Sequence, residues 1–247
     1  MMPTGNPHIV TAEDIAEVEA MGFNITSDKT PLKDFLLNYF PGINLKEYLK
    51  GIDELLTPLT QASIEKELAY FEEPPPMVII QFYSQDEGDD QTGLALSRTL
   101  IRRDDELIAE HDFFRIPAAA RQQGVGKKML ELSLQQYLRL GVDKIVLEAA
   151  LADGGYVWAK AFFTATDPTE VKVILDEAEK SLTPGQFKFV KRVYDNYYSL
   201  YPDGKAFPMV KWSRLGGMET ILRKSRWHGE IDLNNSELLA KFKYYVA

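Results

Sequence analysis

Apolar residues in the first 70 positions recur at helical spacing. Ile15, Val18 and Met21 share one face of a predicted helix that starts at Thr11-Ala12-Glu13-Asp14 and stops at Gly22. Leu32, Phe35, Leu36 and Tyr39 form a second stripe closed by Pro41-Gly42. Leu45, Tyr48, Leu49, Ile52, Leu55 and Leu56 form a third. Ile64, Leu68 and Phe71 read as the last of this series, ahead of Pro74-Pro75-Pro76, which no helix crosses. The pattern then changes. Residues 77–82 are a short apolar run ending in the acidic turn Asp86-Glu87-Gly88-Asp89-Asp90. Residues 94–101 and 107–116 are rich in strand formers, with Arg102-Arg103-Asp104-Asp105 as the hairpin tip. Three consecutive antiparallel strands are expected.

Residues 127–140 return to helical spacing at Leu130, Leu134, Tyr137 and Leu138, and Gly141 stops them. A compact strand over 144–149 and a short helix over 156–163 follow. Further helices are predicted over 168–182 and 184–201, the second carrying Phe187, Val190, Tyr194, Tyr197 and Tyr201 on one face. Residues 205–232 read as irregular, with Gly216-Gly217 and a Trp227-His228-Gly229 turn; Ser236 is expected to cap a terminal helix through Leu239 and Phe242. No internal repeat or low-complexity tract is present. The fold class is therefore α/β: a mixed, mostly antiparallel sheet flanked by helices, with helical elaborations at the N-terminus and in the C-terminal third. One domain over 1–247 is expected, with a helical part at 1–74, a core at 75–165 and a helical insertion and C-terminal part at 166–247.

Composition narrows the function classes. A hydrophobic share of 45% with 13 Phe, 12 Tyr and 3 Trp supports a buried core and excludes a disordered or collagen-like chain. The absence of Cys excludes a thiol nucleophile, a Cys-ligated zinc and an iron–sulfur cluster. A net charge of −9 argues against nucleic acid as a partner, because phosphate binding draws on Lys and Arg. Residues 186–226 run against that balance, with nine Lys or Arg, three Asp or Glu and eight aromatics. They read either as a surface for an anionic partner such as RNA or, the favoured reading, as a solvated helix whose aromatics are core. The opening Met1–His8 has neither a basic nor an apolar leader region, and no apolar run approaches the roughly 18 residues of a membrane span. A cytoplasmic protein without a membrane partner is expected.

The chemistry is concentrated in Ile116-Pro117-Ala118-Ala119-Ala120-Arg121-Gln122-Gln123-Gly124-Val125-Gly126-Lys127-Lys128. A strand ends, a tight loop with two glycines follows, and a helix begins at once. That arrangement aims several backbone N–H groups and the positive end of a helix dipole at one point, where an anion can approach without a Cβ in the way. A Walker A loop requires a different glycine spacing and a hydroxyl after the lysine. A dinucleotide fingerprint requires a third glycine where Met129 stands. Arg121-Gln122-Gln123-Gly124-Val125-Gly126 resembles instead the R/Q-x-x-G-x-G/A pyrophosphate loop of the GCN5-related N-acetyltransferase superfamily. Ile116-Pro117 resembles that family's hydrophobic-Pro strand end, and the order of elements over residues 77–163 fits as well.

The resemblance implies an N-acyltransferase, most simply an N-acetyltransferase, that moves an acyl group from acetyl-CoA or another acyl-CoA to an amine. The acceptor would be a small molecule, a peptide or a protein, attacking the thioester directly, with no metal. Backbone N–H groups of Arg121, Gln122, Gln123, Gly124, Val125, Gly126 and Lys127 would hold the pyrophosphate, and the strand end near Phe114 and Ile116 the pantetheine arm. The family's general base sits on the strand before the loop, four or six residues before the Ile116 position, at Asp112 and Glu110. Simple alternation puts Glu110, Asp112, Phe114 and Ile116 on one face and His111, Phe113 and Arg115 on the other. Glu148 on the next strand is a further candidate, and His111 a fallback. The family's later helix carries Tyr-x-x-x-Gly-Phe, the Tyr protonating the thiolate. Alignment on Phe163 puts Trp158 at that Tyr and Phe162 at that Gly, which leaves Tyr156, two residues earlier, or solvent as the acid. This departure keeps open a non-catalytic coenzyme A-binding sensor or interaction module on the same fold.

Overall fold

The computed structural model describes residues 9–27, 30–89, 91–150 and 153–247; the opening octapeptide and Asp90 of the acidic turn lie outside them. The chain divides into two compact units, Met1–Asp143 with Val246–Ala247, and Lys144–Tyr245. Together they give a mixed α/β fold of helices and mostly antiparallel strands.

In the first unit α1 (Ala12–Ala20), β1 (Asn24–Ser27), α2 (Leu32–Tyr39) and α3 (Leu45–Leu56) come first. The strands β2 (Ile64–Phe71), β3 (Met77–Ser84), β4 (Ala95–Arg103) and β5 (Glu106–Arg115) follow, and then α4 (Val125–Leu140). The strands lie in the order β1-β2-β3-β4-β5; β1 is parallel to β2 and the other pairs are antiparallel. The segment 64–71, expected to be helical, is thus a strand. Its buried phase is Leu68 and Tyr70, but the same phase holds Lys66, whose ammonium reaches the Asp53 carboxylate at 2.9 Å and the Met21 carbonyl at 3.2 Å. A cation in the inward phase disguises the alternation.

One face of this sheet is covered. Leu68 and Tyr70, Val78, Ile80 and Phe82, and Leu96 and Leu100 are buried. The rings of Tyr70 and Phe35 of α2 lie 4.9 Å apart, and those of Phe82 and Phe23 5.4 Å. Each such side chain removed from water contributes about 1.5–3 kcal/mol. The residues between them in β3, Met77, Ile79, Gln81 and Tyr83, are only half-buried.

The second unit contains β6 (Lys144–Ala149), α5 (Gly154–Lys160), β7 (Thr164–Ala165), α6 (Pro168–Ser181) and α7 (Pro184–Leu200). After these come α8 (Met209–Ser213), α9 (Met218–Arg223), β8 (Trp227–Asp232) and α10 (Ser236–Val246). Its strands lie in the order β6-β8-β7, all antiparallel. The stretch 205–232, expected to be irregular, holds two short helices and a strand, so Trp227-His228-Gly229 is the start of β8 and not a turn. Trp227, Gly229 and Ile231 face inward while His228 and Asp232 are exposed. The glycine hides the alternation, and it is needed: a Cβ there would stand 2.6 Å from the Trp227 ring. α10 is capped by Asn235, whose Oδ1 accepts from the Leu238 N–H at 3.1 Å, and not by Ser236. In α7 only Val190 is fully buried. Its Tyr198 stacks on Phe207 at 5.8 Å, and Phe207 packs on Trp212 at 4.5 Å. Phe207 and Trp212 are buried, but Phe189 and Tyr201 are exposed, so the helix is solvated while the expectation of core aromatics holds after α7 and not for the helix itself. Among the described residues no helix is long and apolar enough to cross a membrane.

The first turn of α1 gives a test of the fold. Asp14 accepts from the Thr11 N–H at 2.9 Å and the Thr11 hydroxyl at 2.8 Å, and pairs with Lys46 at 2.9 Å. Burial alone would raise its pKa, but the Thr11 amide, Lys46 and the Thr11 hydroxyl outweigh burial and hold it well below the ordinary carboxylate range. A depressed native pKa contributes stability that is complete above the unfolded value of about 3.9 and is lost as pH falls below it. Asp14→Asn should therefore be less stable than the wild type in urea at pH 7, and the gap should close as pH drops towards about 2.

Candidate functional site

The loop after β5 is built as its glycines foretell. The strand ends at Arg115, the Pro117-capped turn Ala118–Ala120 follows, and α4 begins at Val125. Gln122 has φ 64° and Gly124 φ 81°. Two left-handed residues within three positions curl the chain so that successive N–H groups converge, a concavity that suits anions. A non-glycine residue held in this region marks strain maintained by its surroundings. Gly124 is the N-cap of a 16-residue helix and has no side chain to cap it. The N–H groups of Val125, Gly126 and Lys127 consequently have no acceptor within the helix. A Cβ on Gly124 would meet nothing within 4 Å, and one on Gly126 only the Phe114 ring at 3.9 Å. The concavity is therefore open on the side of both glycines. Around it, the Arg121 guanidinium donates from Nε to the Ile116 carbonyl at 3.2 Å, and Gln123 donates to the Ala119 carbonyl. At the strand end expected to hold the pantetheine arm, the Ile116 carbonyl is thus taken up by Arg121.

On β5 the simple alternation fails at one point. Thr99 is opposite Glu110 and Ser97 opposite Phe113, so β5 has two residues where β4 has only Arg98. This bulge shifts the phase of everything after it. Glu110 and Asp112 share the other face, which is half-buried along β3 but holds the buried Thr99 and Ile101 of β4: Asp112 accepts from the Ser97 hydroxyl at 3.2 Å and from Thr99 Oγ1 at 2.9 Å. Phe113 now joins them, paired with Ser97, whereas Phe114 pairs with Leu96 on the helix-covered face. Phe114 was expected beside Glu110; it stands under α4, against Gly126. His111 is also on the covered side, fully buried, with Nε2 3.0 Å from the Tyr137 hydroxyl. Burial and the charge of Arg98 hold its pKa well below 6.5, so it stays neutral.

The two carboxylates differ. Asp112 is exposed and its Oδ2 receives two hydroxyls. Glu110 is half-buried, and desolvation together with the neighbouring Asp112 charge raises its pKa, against a smaller opposing effect of Arg103. A carboxylate poised upward is the better proton acceptor near neutral pH. A cleft of about 310 Å³ opens on the same face, lined among others by Gln81, Tyr83, Ser97, Phe113 and Arg115.

Glu148 and Tyr156 belong to the second unit. Glu148 is ion-paired with Arg226. The Tyr156 hydroxyl faces the Glu219 carboxylate, and its ring lies 5.1 Å from the Arg223 guanidinium. Burial, followed by Glu219, raises its pKa. Trp158 packs on Phe163 at 5.2 Å, and Phe162 holds φ 70° just past the helix. A larger cleft of about 900 Å³ in this unit, between α6 and α9, is lined by none of the candidate catalytic or coenzyme-binding residues, although Lys224 and Arg226 of the basic stretch border it. Sequence reasoning missed Arg98, although a cation in the apolar phase of Leu96-Ser97-Arg98-Thr99-Leu100 is a readable signal. It also missed the dyad of Glu170 and His228, in which the carboxylate accepts from the His228 N–H at 2.7 Å and contacts Nδ1 at 2.8 Å.

No model of a known protein family matches the chain, and no curated protein matches it.

The glycine geometry predicts an asymmetry. Gly124→Ala should destabilise the chain by about 1–2 kcal/mol, the cost of a Cβ at positive φ. Gly126→Ala, in ordinary helical backbone, should be neutral or slightly stabilising in thermal unfolding, since Gly is disfavoured in a helix by about 1 kcal/mol.

Proposed function

We propose that the chain is a cytoplasmic acyl-CoA-dependent N-acyltransferase, most simply an N-acetyltransferase, in which an amine attacks the thioester directly. The observation that carries this reading is the uncapped, glycine-lined start of α4 directly after a strand, with two left-handed residues in the loop. Its space and its inward N–H groups fit a pyrophosphate. The positions Arg121–Lys127 would bind that group, with Phe114 and Ile116 beside the pantetheine arm. When bound, the thioester supplies the activated acyl group.

The protein's own part is positioning and proton transfer. Glu110 is the base that takes the ammonium proton as nitrogen forms its bond to the acyl carbon. Its half-burial and raised pKa support it over Asp112, whose carboxylate already accepts two hydroxyls. Glu148 is disfavoured as a base by its ion pair with Arg226. The engagement of Tyr156 with Glu219 favours solvent as the acid for the departing thiolate. A non-catalytic coenzyme A-binding module is the second reading. It is favoured by Trp158, a residue that cannot donate a phenolic proton, packed on Phe163 at the acid position. Turnover of any amine above background eliminates it.

Two experiments test the proposal. Gly126→Asp should fold, because the site has room for its Cβ, yet lose acetyl-CoA binding in calorimetry, since a carboxylate at a helix N-terminus excludes a second anion. Unchanged affinity would make the loop a simple turn. Glu110→Gln should lower kcat/KM at least roughly 100-fold with acyl-CoA affinity near normal. The acid limb of the wild-type profile should lie above the ordinary glutamate value of about 4.3, because the pKa is raised, and should vanish in the variant. A larger loss in Asp112→Asn than in Glu110→Gln would move the base by one pleat.

A further inference from the structure

Arg98 is the one residue that β4 sets opposite the extra residue of β5. Its side chain lies on the covered face, in phase with Leu96 and Leu100 and opposite Ile80, and it is only 1% exposed. Nη1 donates to the Ser97 carbonyl at 2.7 Å and to the Phe113 carbonyl at 2.8 Å. Nε and Nη2 are buried with no hydrogen-bond acceptor. Among the described residues no carboxylate pairs with the guanidinium directly; the Asp112 charge acts on it from a distance, and around it lie Tyr48, Tyr137, His111 and the Phe114 ring, 5.7 Å away.

For core filling this is a poor choice of side chain. A buried cation without a contacting anion is destabilising relative to an apolar side chain of the same volume, and its two unmatched nitrogens add to the cost. What an apolar side chain cannot do is donate. At a bulge the ladder hydrogen bonds are interrupted and carbonyls on both strands lose their partners. Nη1 supplies a donor to one carbonyl on each strand. The fork therefore ties Phe113 to Ser97 at the place where β5 changes phase, and the ring it overlies, Phe114, is the one that meets Gly126 at the start of α4.

We propose that Arg98 is a positioning residue that fixes the backbone of Phe113–Arg115, and through it the strand end along which an acyl-CoA would lie. The second half of this inference rests on the acyltransferase reading; the first does not. Arg98 acts through backbone carbonyls and has no contact with the reacting atoms. It therefore bears on how well the donor is held and less on the proton transfer at Glu110.

The test uses the full chain with Arg98→Met and Arg98→Lys, two readouts being taken on each. Hydrogen–deuterium exchange reads the amides of Phe113, Phe114 and Arg115 against those of β3. In Arg98→Met the three amides should exchange faster while β3 stays protected. Calorimetry and kinetics with acetyl-CoA should show a weaker donor complex, kcat/KM falling by on the order of 100-fold, mostly in KM. Arg98→Lys, which keeps a charge and one donor centre, should lie between the two in both readouts. A folded Arg98→Met with unchanged exchange at 113–115 overturns the proposal. Faster exchange there with unchanged acetyl-CoA affinity overturns its second half alone. If the wild type binds no acyl-CoA, the acyltransferase reading fails, and exchange still decides the role of Arg98. If Arg98→Met does not fold, Arg98→Lys carries the test: faster exchange at 113–115 supports the tie, and exchange identical to wild type overturns it.

Discussion

Two hydrogen bonds from one buried guanidinium, to the carbonyls of Ser97 and Phe113, hold the irregular crossing of β4 and β5. The candidate site in the first unit depends on that crossing. Upstream of it, Glu110 lies on the Ser97 and Thr99 side of the sheet; downstream, Phe113 does so as well, and Phe114 turns under α4. A regular ladder would present Phe114 beside the carboxylates and withdraw it from the glycine loop. Local geometry at one residue thus decides which side chains attend the glycine-lined concavity and which attend the carboxylates.

The loop itself was legible in the sequence, because two closely spaced glycines between a strand and a helical stripe mark a tight junction, and Gly124 does adopt the left-handed conformation. The antiparallel strands over 77–115 were legible from residue type and from the charged hairpin tip. Two strands were not, each for a physical reason. In β2 an inward Lys66 finds Asp53 and a carbonyl, so a polar residue stands where alternation asks for an apolar one. In β8 the inward phase includes Gly229, which is small because the Trp227 ring fills the space. The bulge was hidden for another reason: alternation counts residues and has no means of detecting one that a neighbouring strand does not match. The common face of Glu110 and Asp112 could be read because the change of phase comes only after Asp112.

Among the described residues most carboxylates with a partner are matched with a cation, and both units hold such pairs, Asp14 with Lys46 and Asp53 with Lys66 in the first. In the second, Glu148, Glu219 and Asp153 are matched with Arg226 and Arg223, and Glu170 with His228. Such matched pairs are ordinary surface electrostatics, worth little stability each. Glu110 in the first unit stands apart: its half-burial and, after that, the charge of Asp112 on the same face raise the cost of ionising it. Desolvation and a neighbouring like charge both move a carboxylate's pKa upward. The acidic balance of the whole chain is therefore less informative than the placement of these two groups.

The unmatched residue in β5 also bears on how this chain should be compared with others. A relative lacking it would be one residue shorter between the hairpin tip and the glycine loop, and an ungapped alignment anchored on the loop would then misplace Glu110 by one position. The residue matched with it would lie on the opposite side of the sheet, and a retained carboxylate would be scored as lost. Anchoring on the hairpin instead would preserve Glu110 and misplace Phe114. Only an alignment that opens its gap opposite Arg98 keeps both, so a single-residue gap at that point is a structural event and not noise.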